Sequence, residues 1–192
     1  VGVEYVSMDV TFFGHNCYFL EGNEVCFLID PWLTEDGAFF GSWFQWPINH
    51  DCLPDLLSLA STKKKVYLYI SHEHQDHFDI KTLNELLPLI DLCILPKYHD
   101  PFLYDSIKNL GIPIIELEDL QKYSLSSQDF VELLLVDTGV NHDSTAVIHI
   151  DGKVFVNQND CKIFDRLGQL KKYKIDFYAV QFSGATWYPV CY

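Results

Sequence analysis

The chain has 192 residues, of which 48% are apolar and 21% charged; that is enough apolar surface to exclude disorder as its ground state. Thirteen Lys and Arg against 27 Asp and Glu leave a formal charge of −14, a field that repels nucleic acid and anionic membranes as partners. No run of 18 apolar residues occurs, so no transmembrane segment is expected.

The first elements expected are three short strands at 8–13, 17–21 and 25–29. Gly14-His15 separates the first two, and Gly22-Asn23 reads as a tight hairpin turn before the third. Asp30-Pro31 ends that strand. A long aromatic loop over 32–49 follows, carrying Trp32, Trp43 and Trp46; a loop this aromatic covers either the core or a pocket. Leu53, Leu56, Leu57 and Ala60 recur at helical spacing within 52–60. The Lys63–Lys65 run reads as a solvated exit from that helix.

Residues 66–70 form an apolar strand that runs directly into Ser71-His72-Glu73-His74-Gln75-Asp76-His77. Asp79 can cap a helix whose apolar face is Leu83, Leu86 and Leu87, with Pro88 as its stop. Strands at 92–95 and 112–115 flank a helix near 102–110, so this stretch alternates strand and helix as a layered α/β protein does. A second β-rich block begins at 130–136. Strands at 145–150 and 154–157 flank Asp151-Gly152, a strong hairpin signal. A helix near 162–171 and a last strand at 176–182 complete the expectation. With no repeat and no linker-like tract, residues 1–192 read as a single domain.

Six cysteines stand at 17, 26, 52, 93, 161 and 191. None forms a Cys-x-x-Cys pair, and their neighbours are mostly apolar. They read as buried free thiols of a cytoplasmic protein rather than as a disulfide framework or a cysteine zinc site.

Three histidines and an aspartate within six residues, directly after a buried strand, are the strongest chemical signal. A loop at a strand end can fold so that His72 and His74 converge on one ion while Asp76 and His77 turn toward a second. Imidazole with carboxylate suits one or two divalent ions of Zn, Fe or Mn. Further ligands are sought later in the chain. His142 lies in a loop between two expected strands. His149 lies inside a strand, where it can simply face solvent. Asp160 follows the expected 154–157 strand, where it can bridge two ions, cap the next helix, or both.

His72-Glu73-His74-Gln75-Asp76-His77 resembles the HxHxDH signature of the metallo-β-lactamase superfamily. Gly14-His15-Asn16-Cys17, Leu28-Ile29-Asp30-Pro31-Trp32, Gly41-Ser42-Trp43, Asp143-Ser144-Thr145, Asn159-Asp160-Cys161 and Phe182-Ser183-Gly184-Ala185 resemble its CMP-N-acetylneuraminate hydroxylase branch. The resemblance implies an αββα sandwich with the site along one edge. It implies His72, His74 and His142 on a first metal, Asp76 and His77 on a second, and Asp160 between them. Asp30 would orient a ligand histidine, and His15 would lie near the pocket mouth. Apart from the resemblance, the aromatic loop after Asp30-Pro31 leads to the expectation that Trp32, Trp43 or Trp46 lines the pocket. Asp76 and Asp160 would serve as the catalytic carboxylates.

Two departures from the pattern stand out. No histidine follows His149, so the late imidazole usual for the second metal is absent. One tightly held ion and one loosely held ion are the expectation. Proteins of the branch also continue past the point matching Tyr192, so the fold is expected to be incomplete at the C-terminus. The Cys-x-His and Cys-x-x-His pairs of a Rieske cluster are absent from the sequence.

The leading expectation is a metal-dependent hydrolase whose metal-bound water attacks a phosphoester, lactone or amide of a small polar substrate. The alternative is a binuclear-iron oxygenase domain acting on a nucleotide-linked sugar and served by a redox partner. A third reading is a metal- or ligand-binding module without turnover.

Overall fold

The computed structural model describes residues 7–139 and 141–181. The Phe182-Ser183-Gly184-Ala185 motif and Cys191 lie outside the described residues.

Two sheets face each other. The first contains β1 (Asp9–Gly14), β2 (Cys17–Glu21), β3 (Val25–Ile29), β4 (Lys65–Tyr69), β5 (Leu92–Pro96) and β6 (Ile114–Leu117), hydrogen-bonded in that order. Its first three strands pair antiparallel and the remainder parallel. Between its parallel strands the chain forms α1 (Leu53–Ala60), α2 (Ile80–Leu86) and α3 (Phe102–Asn109), as parallel pairing requires. The second sheet contains β7 (Lys122–Ser124), β8 (Phe130–Asp137), β9 (His142–Ile150), β10 (Lys153–Asn159) and β11 (Phe177–Val180). Here β10 and β11 pair parallel and the others antiparallel.

Three apolar layers follow from this stacking. Leu20, Phe27, Tyr69, Val131, Ile148 and Phe155 fill the space between the sheets. Leu28, Leu68, Leu56, Leu83 and Ile107 pack the helices onto the outer face of the first sheet. Leu134, Val156, Ile163 and Leu170 form the outer layer of the second. Strand β3 is buried at all five positions, as expected of a strand covered on both faces. The sandwich expected from the sequence is the fold observed.

Local chemistry explains several boundaries. Asp79 accepts from the backbone N–H groups of Lys81 and Thr82 and so caps α2. Asp151 and Gly152 both have positive φ, 50° and 76°, the backbone that a two-residue hairpin between β9 and β10 requires. The helix expected at 162–171 is a 3₁₀ segment over Phe164–Lys172. Gly168 in its interior disfavours the α form by about 1 kcal/mol. Asp160 does not cap that segment; Ile163 stands at its N-cap without a side-chain bond. Strand β7 was not expected; it is three residues long and half exposed, too short for a periodic signal.

The loop between β3 and α1 is turned inside out. Gln45 and Asn49 are buried and donate to backbone carbonyls of Trp32, Thr34 and Phe13. Phe40, Trp43, Phe44, Trp46 and Ile48 face solvent. Trp32 alone of its three indoles is fully buried.

All five described cysteines are free, and Cys17, Cys26, Cys93 and Cys161 lie in the core. No helix among the described residues is long and apolar enough to cross a membrane.

Gly22 offers a test of the sheet register. A Cβ there would meet Ile150 Cγ2 at 2.3 Å and Asp151 Oδ2 at 2.9 Å. Gly22→Ala is expected to cost about 1–3 kcal/mol by overpacking, lowering Tm by roughly 2–4 °C per kcal/mol. An unchanged melting temperature would refute the β2–β3 turn's seat on the second sheet.

Candidate metal centre

The HxHxDH loop leaves β4 at Ile70 and turns back on itself. His77 and Phe78 both donate their N–H to the carbonyl of His74, at 2.9 and 2.7 Å. That turn brings the four side chains of the motif to one side, at the edge where the two sheets meet. His72 Nε2 stands 2.8 Å from His74 Nδ1. His77 Nε2 lies 3.7 Å from both Asp76 Oδ2 and Asp160 Oδ2.

Two groups have ligand atoms mutually within 4.8 Å: His15, Asp76 and His77, and His72, His77 and Asp160. Asp160 reaches the cluster from the end of β10, so both sheets contribute. His15 comes from the β1–β2 turn, with a φ of 53°, and is exposed. Its Nε2 bonds Asp76 Oδ2 at 3.0 Å, and its ring stands edge-on to Trp32 at 5.0 Å.

Asp30 sits directly behind His77. It is fully buried and accepts from four donors: Asn16 Nδ2, Ser71 N, Ser71 Oγ and His77 Nδ1 at 2.6–2.8 Å. With Nδ1 committed to Asp30, the neutral ring of His77 presents Nε2 as its free lone pair. That Nε2 and Asp76 Oδ1 are buried and have no hydrogen-bond partner among the described residues. Such orphaned atoms are costly in a protein interior, and a cation between them would satisfy both. The donor set of imidazoles and carboxylates fits a divalent metal.

The electrostatics agree. Burial pushes Asp76 up, but the hydrogen bond from His15 and the charges of His77 and His15 outweigh it and hold its carboxyl at about 2. Burial raises Asp160, but the facing His77 ring outweighs it and leaves the carboxyl below the usual range. For His77 burial works downward, but Asp160, Asp30 and Asp76 outweigh it and raise the ring well above an ordinary imidazole. His74 is lowered by burial and by the charge of His72.

The raised His77 makes a pH prediction for the metal-free protein. Its charged ring contributes stability that is fully present below the ordinary imidazole value of about 6.5 and is lost as pH rises through its own higher value. A metal needs the neutral ring, so apparent metal affinity is expected to rise with pH across that window. Titrating Co(II) into weakly buffered protein at pH 7 with an indicator dye should release about one proton per ion; no release would refute the raised ring.

Three sequence-derived candidates belong to neither ligand group: His74, which meets the cluster through His72, and His142 and His149. His142 opens β9, bonds Asp137 Oδ1 at 3.1 Å through Nδ1 and packs on Tyr98; it belongs to neither ligand group. His149 stacks on Phe130 in the sheet. The neighbouring Asp143 was not singled out as a ligand, yet its Oδ1 lies 3.4 Å from His72 Nδ1, and burial raises it against the opposing His72 bond. A cavity of about 100 Å³ opens beside the cluster, lined by His15, Asn16, Tyr18, His77, Asn159 and Asp160 among others. None of the three indoles lines it. Trp32 backs His15, and Trp43 and Trp46 face solvent.

A Mycolicibacterium smegmatis protein named "Putative Rieske 2Fe-2S iron-sulfur protein" is 31% identical over 96% of this chain and 36% of its own length. The cytidine monophosphate-N-acetylneuraminic acid hydroxylase of Danio rerio is 24% identical over 81% of this chain and 26% of its own. The chain thus spans about a third or less of these relatives. Among solved structures, CmlA, a diiron β-hydroxylase from Streptomyces venezuelae, superposes with a TM-score of 0.61 at 19% identity, covering 89% of this chain and 34% of that one. An isothiocyanate hydrolase from Delia radicum gut bacteria gives 0.60 at 19% identity, covering 88% and 69%. These two show a shared fold. Residues 9–181 match the family described as the beta-lactamase superfamily domain, and the chain is a member of that family with the metallo-β-lactamase fold.

Proposed function

We propose that this chain is the metal-bearing domain of a dinuclear iron oxygenase that hydroxylates a small polar substrate. The observation that carries the reading is the buried pair of orphaned ligand atoms, His77 Nε2 and Asp76 Oδ1, in a domain whose relatives bear hydroxylase and Rieske iron–sulfur names. Hydrolysis led on the sequence alone; the named relatives favour the oxygenase alternative over it.

In this reading His72, His74 and Asp160 hold one ion, with Asp143 beside them, and Asp76, His77 and Asp160 hold the other. Bound iron would supply the activation of O₂. Asp30 fixes the His77 ring and keeps its proton on Nδ1. His15 donates to Asp76 and holds that carboxylate ionised and turned toward the centre. Tyr18 gives the cavity a polar group to orient a substrate, of which a nucleotide-linked sugar is the class proposed, while Asn16 and Asn159 line it with their amides committed to neighbouring groups. The buried ring of Trp32 keeps water from the back of His15. Electrons would come from an iron–sulfur redox partner, in the same polypeptide or another.

Elemental analysis of protein purified without chelator tests this directly. Iron as the dominant metal, with O₂ uptake on adding a reductant, is the expected result. Zinc with turnover of a phosphoester or lactone, and no O₂ uptake, would replace the oxygenase by the hydrolase.

A further inference from the structure

Behind the metal-competent cluster the two sheets are joined by amides rather than by apolar contact. Along β10, Val154 and Val156 point into the outer layer, while Phe155 points between the sheets. Asn157 and Asn159 continue the Phe155 face at the edge nearest the cluster. Both are buried, at 0% and 5% exposure, and so is Asn16 across from them in the β1–β2 turn, at 8%.

Their hydrogen bonds form a circuit. Asn16 Nδ2 donates to Asp30 Oδ2 at 2.7 Å. Asn157 Nδ2 donates to Asn16 Oδ1 at 2.8 Å. Asn157 Oδ1 accepts from both Asn16 and Asn159, each at 3.3 Å. Asn159 also donates to the carbonyl of Ser144 at 2.7 Å and accepts from the backbone N–H of Asp160. Asp30 holds His77 by Nδ1, and Asp160 faces the same ring at Nε2. The path therefore starts at one nitrogen of His77 and returns to the other, crossing from one sheet to the next at Asn16–Asn157.

We propose that Asn157 is a positioning residue for the metal centre. It sets the spacing of the two sheets at the site and so holds Asp160 opposite His77, without touching the metal itself. An apolar residue would pack the same gap, but it would leave Asn16 Oδ1 without its donor and free Asp160's strand end to shift. The inference rests on the reading of the cluster as a metal centre.

A double-mutant cycle on Co(II) affinity, read by competition with a chromophoric chelator, tests it. Asn157→Leu is near in size and uncharged; Asn157→Ser is a second variant should the first fail to fold. Either is expected to weaken Co(II) about tenfold, the usual effect of an outer partner of a ligand, and to shift the visible ligand-field bands. Metal-free far-UV spectra should stay unchanged. In an Asp160→Asn background the same substitution should lose nearly all of its effect, because the residue it acts through is gone. In a His74→Ala background its effect should persist. A full effect in the Asp160→Asn background, or unchanged ligand-field bands, would overturn the positioning role while leaving the metal centre standing. Failure of the unaltered protein to bind Co(II) would overturn the metal centre and this inference with it.

Discussion

His77→Ala is expected to remove essentially all bound metal while the sandwich survives. His77 is the one side chain common to both ligand groups, and its Nε2 is buried without a hydrogen-bond partner among the described residues. The ring sits in the loop after β4, so the strands and apolar layers need not reorganise when it is lost. His72→Ala and His74→Ala each delete one imidazole at one end of the cluster and should lower metal content less completely. Metal measured per chain after dialysis is the check, with far-UV circular dichroism to confirm the fold. Wild-type metal in His77→Ala would sink the assignment of the site.

Asp30→Ala is expected to be the most destabilising single change in the site. Asp30 is fully buried and satisfies four donors. Removing it strands Asn16, Ser71 and a raised His77 in the interior without their acceptor. Breaking a buried charged network from one side costs about 3–5 kcal/mol, a drop of roughly 6–20 °C in Tm for a chain of this size. The loss should be greatest below the pH where His77 gives up its proton and smaller above it, because the charged ring loses an ion pair with the carboxylate in addition to the Nδ1 hydrogen bond that the neutral ring also makes. Thermal melts of metal-free protein at two pH values measure both. Equal destabilisation at both would mean that Asp30 holds the imidazole by a hydrogen bond alone, with no ion pair to a charged ring.

The parts of this protein legible in its sequence are those encoded locally. The turn residues Gly22-Asn23 and Asp151-Gly152, the cap at Asp79 and the HxHxDH run each state their role within a few positions. Asp160 could be suspected because it ends a strand. What could not be read depends on partners far apart in the chain. Asp143 looks no different from the twenty-six other acidic residues until β9 sets it against His72. His142 suggests a ligand because a histidine in a short loop is free to turn; β9 begins at that residue and Asp137 across the hairpin takes its Nδ1, which leaves Nε2 free but does not bring it into either ligand group. The amide circuit joins residues 141 positions apart, and isolated asparagines carry no signal of such pairing. The aromatic loop differs for another reason: its composition suggests rings covering the core or a pocket, whereas Gln45 and Asn49 occupy the interior and most of the rings face solvent.

The cysteines have a use beyond packing. Cys17, Cys26 and Cys93 all belong to the layer beneath α1, α2 and α3, and Cys161 belongs to the layer outside the second sheet. Burial and the charge of Glu21 push the Cys26 thiol up to about 11, and burial with Asp143 pushes Cys161 up to about 12. A reagent that attacks thiolates therefore meets them only when their own layer opens. The two halves of the molecule thus carry separate clocks, and mass-resolved alkylation can time the opening of each under native conditions without any introduced probe.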